Sequence, residues 1–134
     1  MSLHERLMEK VDVAGVYVQH GKTGKKLILK RKDGRWDITK GKVDPGEQPK
    51  VAAKRETGEE SGIRPKVSDT FVDVKNQKNK KKIRVFKGTT ASSAVKLQPS
   101  EHTKFKWTDD ETAIKKLAKT PHLAKAVRKL RGTA

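Results

Sequence analysis

The chain has 134 residues, enough for a single domain over 1–134 with a core that needs no disulfide. It contains no cysteine, which excludes thiol catalysis, disulfides and cysteine-based zinc sites, and which fits a reducing, cytoplasmic setting. The formal net charge is +17, from 33 Lys+Arg against 16 Asp+Glu, so nucleic acid, anionic lipid and polyphosphate metabolites are the partners that the field attracts. No stretch approaches the roughly 18 apolar residues of a membrane span, and the N-terminal residues lack the apolar run of a secretory signal.

Taken in chain order, Val11–His20 alternates and is rich in β-branched residues, which predicts a strand. Gly21–Gly24 is a turn, and Lys25–Lys32, carrying Leu27, Ile28 and Leu29, is a second strand paired with the first as a hairpin. Asp33–Gly34 turns the chain into a short strand at Trp36–Ile38, and Gly41–Gly46 reads as a loop. Pro49 suits the first turn of a helix, where its missing N–H has no partner to lose. The helix runs through Ala52 and Ala53 to Ser61, with Gly62 as its stop. Val67–Val74 and Lys82–Lys87 predict two more strands around a polar loop, Lys75–Lys81. Ala91–Ser100 is irregular and Thr103–Trp107 is a last short strand. Asp109–Lys119 reads as a helix with Thr108 as its N-cap and Glu111 three residues on. Pro121–Leu130 predicts a final helix with Leu123, Val127 and Leu130 on one side. Strands come first and helices are interspersed, so the class is α+β or a layered α/β/α sandwich.

Charge is unevenly distributed. Basic residues crowd Lys22–Arg35, Lys75–Lys87 and Lys115–Arg131, whereas Asp44, Glu47, Glu56, Glu59 and Glu60 form an acidic island. Glu56, Glu59 and Glu60 stand at i, i+3 and i+4, so on a helix they share one face and repel by a few tenths of a kcal/mol per pair. A divalent cation reverses the sign of that interaction, since carboxylate oxygens are its natural ligands. Ala52 and Ala53 on the preceding turn leave room for a ligand or for close packing on a sheet, and Ile63 offers an anchor to the core. An arbitrary acidic triplet on a helix is usually a solvated face, so the triplet decides nothing without its surroundings.

The surroundings are specific. Gly41, five residues, Glu47, seven residues, Arg55-Glu56, two residues, Glu59-Glu60, one residue, Gly62 and the aliphatic Ile63 resemble the Nudix box. One position departs, Thr57, where the box usually has an aliphatic residue. The approach Trp36-Asp37-Ile38-Thr39-Lys40-Gly41 is similar to the Trp-containing strand and turn that precede the box, with Thr39 where the family often has proline. Downstream, Glu101, Phe105-Lys106-Trp107 and Asp109 followed by a helix resemble the segment after the last strands, so the likeness spans about Val11–Leu130.

This resemblance implies an α/β/α sandwich with a mixed β-sheet and hydrolysis of a nucleoside diphosphate linked to another group. It implies Mg²⁺, with Mn²⁺ as the substitute, held by Glu56 and Glu60, with Glu59 as a third ligand and the backbone carbonyl of Lys40 joining them. Arg55 then orients the carboxylates, pairing with Glu47, and Glu101 or a box glutamate is the general base. Arg31, Arg35, Lys40 and Lys42 lie next to the box and are candidates for distal phosphates. The candidates for stacking a base are Tyr17, Trp36, Phe71, Phe86, Phe105 and Trp107, most of them expected in the core. His4, His20, His102 and His122 show no metal-ligand spacing. Two functions compete. One is hydrolysis of a soluble nucleotide, dinucleoside polyphosphates first, with nucleoside triphosphates, diphosphoinositol polyphosphates, ADP-ribose and capped RNA as alternatives. The other is a basic nucleic-acid-binding module with weak catalysis, which the charge favours and the complete acidic set opposes. Salt dependence of binding against Mg²⁺ dependence of turnover separates them. The sequence sets no oligomeric state.

Overall fold

A computed structural model describes residues 2–3 and 10–133; the readings of His4 and of the N-terminal leader fall outside the described residues. Seven strands form one mixed sheet: β1 (Val13–His20), β2 (Lys26–Arg31), β3 (Trp36–Asp37), β4 (Thr39–Lys42), β5 (Lys66–Lys75), β6 (Lys82–Thr90) and β7 (His102–Thr108). The main path runs β3-β2-β1-β6-β5, with β4 on β1 and β7 on β2. Among the described residues only the β1–β6 pair is parallel, and the other pairs are antiparallel.

Period-two alternation sends the strands' apolar side chains to two cores. Ala14, Val16, Val18, Leu27, Leu29 and Phe86 meet helix α1 (Pro49–Ser61) through Ala52 and Ala53, with Ile63 just past its end joining the same core. Tyr17, Ile28, Ile83 and Val85 face the opposite way, onto helix α2 (Asp110–Lys116) and helix α3 (Pro121–Arg131). The result is the α/β/α sandwich with a mixed sheet that the element order implies. Helix α3 keeps Leu123, Val127 and Leu130 buried on one side, as its apolar spacing predicts.

Three local features differ from the sequence reading. Gly41 and Lys42 are the end of β4, not the start of a loop, because Val13↔Lys42 and Ala14↔Gly41 pair in register with β1. The N-cap of α2 is Asp109, whose carboxylate accepts from the Thr112 N–H at 2.7 Å, and not Thr108. That helix also ends at Lys116, and Leu117–Lys119 continue as a 3-10 turn. Around α1 the predicted limits hold: Pro49 opens the helix and Gly62, at φ 73°, closes it by donating to the Gly58 carbonyl.

The buried face of α1 is small and polar: Ala52, Ala53, Thr57, Glu60 and Ser61. Small side chains let the helix lie close to β1 and β4, and hydrogen bonds replace bulk. Thr57 Oγ1 lies 2.8 Å from the Ala53 carbonyl and 3.0 Å from Thr39 Oγ1, which itself donates to the Val16 carbonyl. The two positions where the chain departs from the family pattern are therefore partners. Thr57→Val or Thr39→Val alone leaves a buried oxygen short of a contact and is expected to cost about 1–2 kcal/mol, whereas the double variant costs less than the sum. Urea denaturation of the four proteins of the cycle measures the difference, and strict additivity would rule out the coupling.

Candidate active site

Arg55 organises the acidic island. Its Nε and Nη2 grip Glu47 at 2.9 and 3.0 Å, a bidentate pair. Nη1 reaches Glu56 at 2.9 Å and Glu59 at 3.3 Å, and Nη2 also donates to the Lys42 carbonyl at 3.0 Å. One guanidinium thus ties the β4 exit, the loop and α1 together. Glu47 is held below the usual carboxylate range by its hydrogen bonds from Arg55 and from the Asp44 amide.

Glu56 fits under Gly41. A Cβ on Gly41 would fall 2.0 Å from the Glu56 carboxyl carbon, so only glycine leaves this carboxylate its place. Gly15 does the same for the strand beneath: its missing side chain admits Thr39 and Lys40, where a Cβ would stand 2.4 Å from the Thr39 carbonyl oxygen. That approach delivers the Lys40 N–H to Glu60 Oε1 at 3.0 Å.

Glu60 is only 4% exposed. Burial pushes its carboxyl up to about 9; the Lys40 amide opposes the shift, and Asp37 and Glu101 add to it. Glu56 is raised as well, by burial against the pull of Arg55, with Glu59 and Glu101 contributing repulsion. Asp37 behaves oppositely: burial disfavours its charge, yet His102 and Lys40 outweigh burial and hold it low. Lys40 Nζ lies 3.4 Å from Asp37.

The cleft above these groups has a volume of about 490 Å³ and is lined by Arg31, Asp37, Lys40, Glu60, Glu101 and His102, among others. Ligand atoms of Glu60, Glu101 and His102 all lie within 4.8 Å of one another. His102 is buried, and its Nδ1 has no hydrogen-bond partner among the described residues. Two converging carboxylates and an orphaned ring nitrogen suit a divalent cation, which supplies what the protein withholds. The donor set therefore fits a metal.

The structure brings Arg31, Lys40, Glu60 and Glu101 to one cleft and sets Glu56 beside them. Glu59 is half exposed and turned to Arg55. Arg35 is engaged by Asp33 at 2.8 Å and lines a different cleft, and the Lys42 side chain is exposed while its carbonyl serves Arg55. Lys40 meets Glu60 through its amide. Asp37 and His102 belong to the site although the sequence reading gave them no role there. His102 has no ligand spacing along the chain because its neighbour Glu60 lies on another element; only its adjacency to Glu101 signalled it.

The chain matches the NUDIX domain family over residues 9–130. It belongs to the Nudix hydrolases. A MutT-like protein of Streptomyces ambofaciens is 33% identical over 108 residues, which cover 79% of this chain and 68% of that protein. A C. elegans Ap4A hydrolase, solved as a binary complex, superposes with a TM-score of 0.79 at 27% identity, over 89% of this chain and 95% of that one. The E. coli dihydroneopterin triphosphate pyrophosphohydrolase shares the fold, with a TM-score of 0.70 at 20% identity over 90% of this chain and 97% of that chain. Membership makes the chain a Nudix pyrophosphohydrolase, and its Nudix box contributes Glu60 to the lining of the acidic cleft.

Two expectations follow from the geometry. Folded Glu60 keeps its proton up to about pH 9, whereas the unfolded chain releases it near the ordinary value of 4.5. Its contribution to stability is full below 4.5 and is lost as pH rises towards 9. Glu60→Gln should therefore stabilise the metal-free protein, on the order of 1–3 kcal/mol at pH 8 and little at pH 4. Thermal melts across that range check the sign, and a variant that loses stability at pH 8 refutes it. Gly41→Ala, by displacing Glu56, should lower turnover at least tenfold while shifting the melt by only a few degrees, as read by paired kinetics and melting.

Proposed function

We propose that the chain is a Mg²⁺-dependent hydrolase of a phosphoanhydride bond in a nucleoside-diphosphate-linked substrate, with dinucleoside polyphosphates the favoured class. The observation that carries this reading is the buried Glu60 converging with Glu101 below a cleft whose walls also hold Arg31 and Lys40. The likeness to the C. elegans Ap4A hydrolase supports the substrate class.

Glu56 and Glu60 are the leading ligands, with Glu101, the Lys40 carbonyl and His102 completing the donors and Glu59 acting from the rim. Once bound there, the cation supplies Lewis-acid polarisation of the phosphoryl group and lowers the pKa of water. Glu101, exposed at the cleft's mouth, accepts the proton of the attacking water. Glu59 is less suited to that task because Arg55 holds its carboxylate. Arg31 and Lys40 take up the charge of the departing phosphate. Phe105 is 43% exposed on β7 and pairs with Leu29, so it stands on the α1 face of the sheet and is the aromatic placed to stack a base. Arg35 and Lys42 remain candidates only for the far end of a long phosphate chain. The cysteine-free composition suits a cytoplasmic site of action.

Incubation with Mg²⁺ and a panel of dinucleoside polyphosphates, nucleoside triphosphates, ADP-ribose and inositol pyrophosphates, followed by mass identification of products, tests the class. Glu56→Gln and Glu60→Gln should each lower kcat by two or more orders of magnitude. Phe105→Ala should raise KM with little change in kcat. Unchanged Mg²⁺-dependent turnover in both glutamine variants would sink the assignment.

A further inference from the structure

The three basic stretches of the sequence meet at a second, larger cleft. It has a volume of about 880 Å³ and lies where the β5–β6 loop faces the start of α3. Lys75 ends β5 and Lys78 comes from the loop that follows, and Lys119 and Lys125 flank the first turn of α3. All four are exposed, and none has an ion pair among the described residues. The carboxylates of this cleft, Asp12 and Asp73, are already engaged, the first by Lys10 and the second by Lys82 and Arg84. The cleft therefore holds an unneutralised positive field.

The lining also says what kind of anion fits. It contains no Phe, Tyr or Trp, and its apolar members are Val74 and Pro121. Grooves for single-stranded nucleic acid add aromatic platforms on which bases stack. The planar groups of the lining are the half-buried His122 ring and the Arg35 guanidinium, which Asp33 holds, so the cleft offers a base no open aromatic platform and presents mainly ammonium ions and amides suited to phosphate. The cleft adjoins the catalytic one: His122 on its wall is pushed down by burial and then by Lys40.

We propose that this cleft binds linear inorganic polyphosphate, a chain of phosphates without bases, at a site separate from the carboxylate cleft. The binding does not depend on hydrolysis and is measured on the full chain in EDTA, so failure of the hydrolase reading leaves it standing. End-labelled polyphosphate and a charge-matched oligothymidylate are titrated by fluorescence anisotropy at several salt concentrations. Contact with four phosphates predicts a slope of log K against log[salt] of about −3 for polyphosphate. The triple variant Lys78→Gln, Lys119→Gln, Lys125→Gln should weaken binding at least tenfold and flatten the slope by about 2. A second triple, Lys22→Gln, Lys25→Gln, Lys54→Gln, removes the same charge from exposed positions that do not line the cleft and should change affinity less than twofold. Both triples should melt with the parent and turn over a short dinucleotide substrate unchanged. Equal loss in the two triples would reduce the effect to diffuse charge and overturn the proposal. Tighter binding of oligothymidylate would reassign the cleft to nucleic acid, and absence of polyphosphate binding at low salt would abolish it.

Discussion

A carboxyl group buried between a helix and a strand sets the rest of this architecture. Glu60 sits where α1 presses on β4, and its one described hydrogen bond comes from the Lys40 amide. Burying an ionisable group costs free energy unless a partner offsets it, and one N–H is a modest offset. The surrounding choices all serve that close approach. Gly15 and Gly41 remove side chains that would collide with β4 and with Glu56. Ala52 and Ala53 keep the helix near the sheet, and Thr57 meets Thr39 across the seam. Arg55 then fixes Glu47 and Glu56 from outside. In the metal-free site Glu60 answers its burial and the nearby Asp37 and Glu101 by keeping its proton, and a cation bound there would take that proton's place.

The sheet and helices were largely legible because their cores obey simple periodicities. Alternation in Val13–His20 and the apolar spacing of Leu123, Val127 and Leu130 each name a face, and the structure buries those faces. The buried face of α1 was legible only as part of a motif. Alanine, threonine, glutamate and serine carry no apolar stripe, so periodicity is silent there; the spacing of Arg55, Glu56, Glu59 and Glu60 spoke instead. Strand β4 was missed because two glycines and a proline in Gly41–Gly46 signal a turn, whereas the ladder to β1 continues through Lys42. Local propensity lost to pairing with a central strand.

The site was legible in part for a related reason. Residues clustered along the chain, from Arg55 to Glu60, reveal themselves by spacing. Residues clustered by topology do not. Asp37 and His102 come together because β3 and β7 both pair with β2, with Leu29↔Asp37 and Arg31↔His102 in register on its two sides. No linear reading of histidine spacing contains that information. The same holds for the basic surface: as sequence the lysine runs look like solvated loops, and only the fold shows that Lys75, Lys78, Lys119 and Lys125 face one cleft.

An acidic centre inside a chain of net charge +17 also constrains the order of events under the proposed function. The long-range field repels a free divalent cation and attracts polyphosphate, so the two reactants do not arrive under the same force. A cation already chelated by a phosphate chain travels as part of an anion and is drawn in with it. At short range the proposed site inverts the balance, because Glu56, Glu60 and Glu101 would surround the cation while Arg31 and Lys40 would meet the phosphates. Metal and substrate should then bind with positive coupling, each neutralising what the other must face: the carboxylates repel bare phosphate, and the basic rim repels bare metal. The opposed charges of the cleft and its surroundings thus describe one recognition problem, that of a cation–pyrophosphate complex rather than of either ion alone.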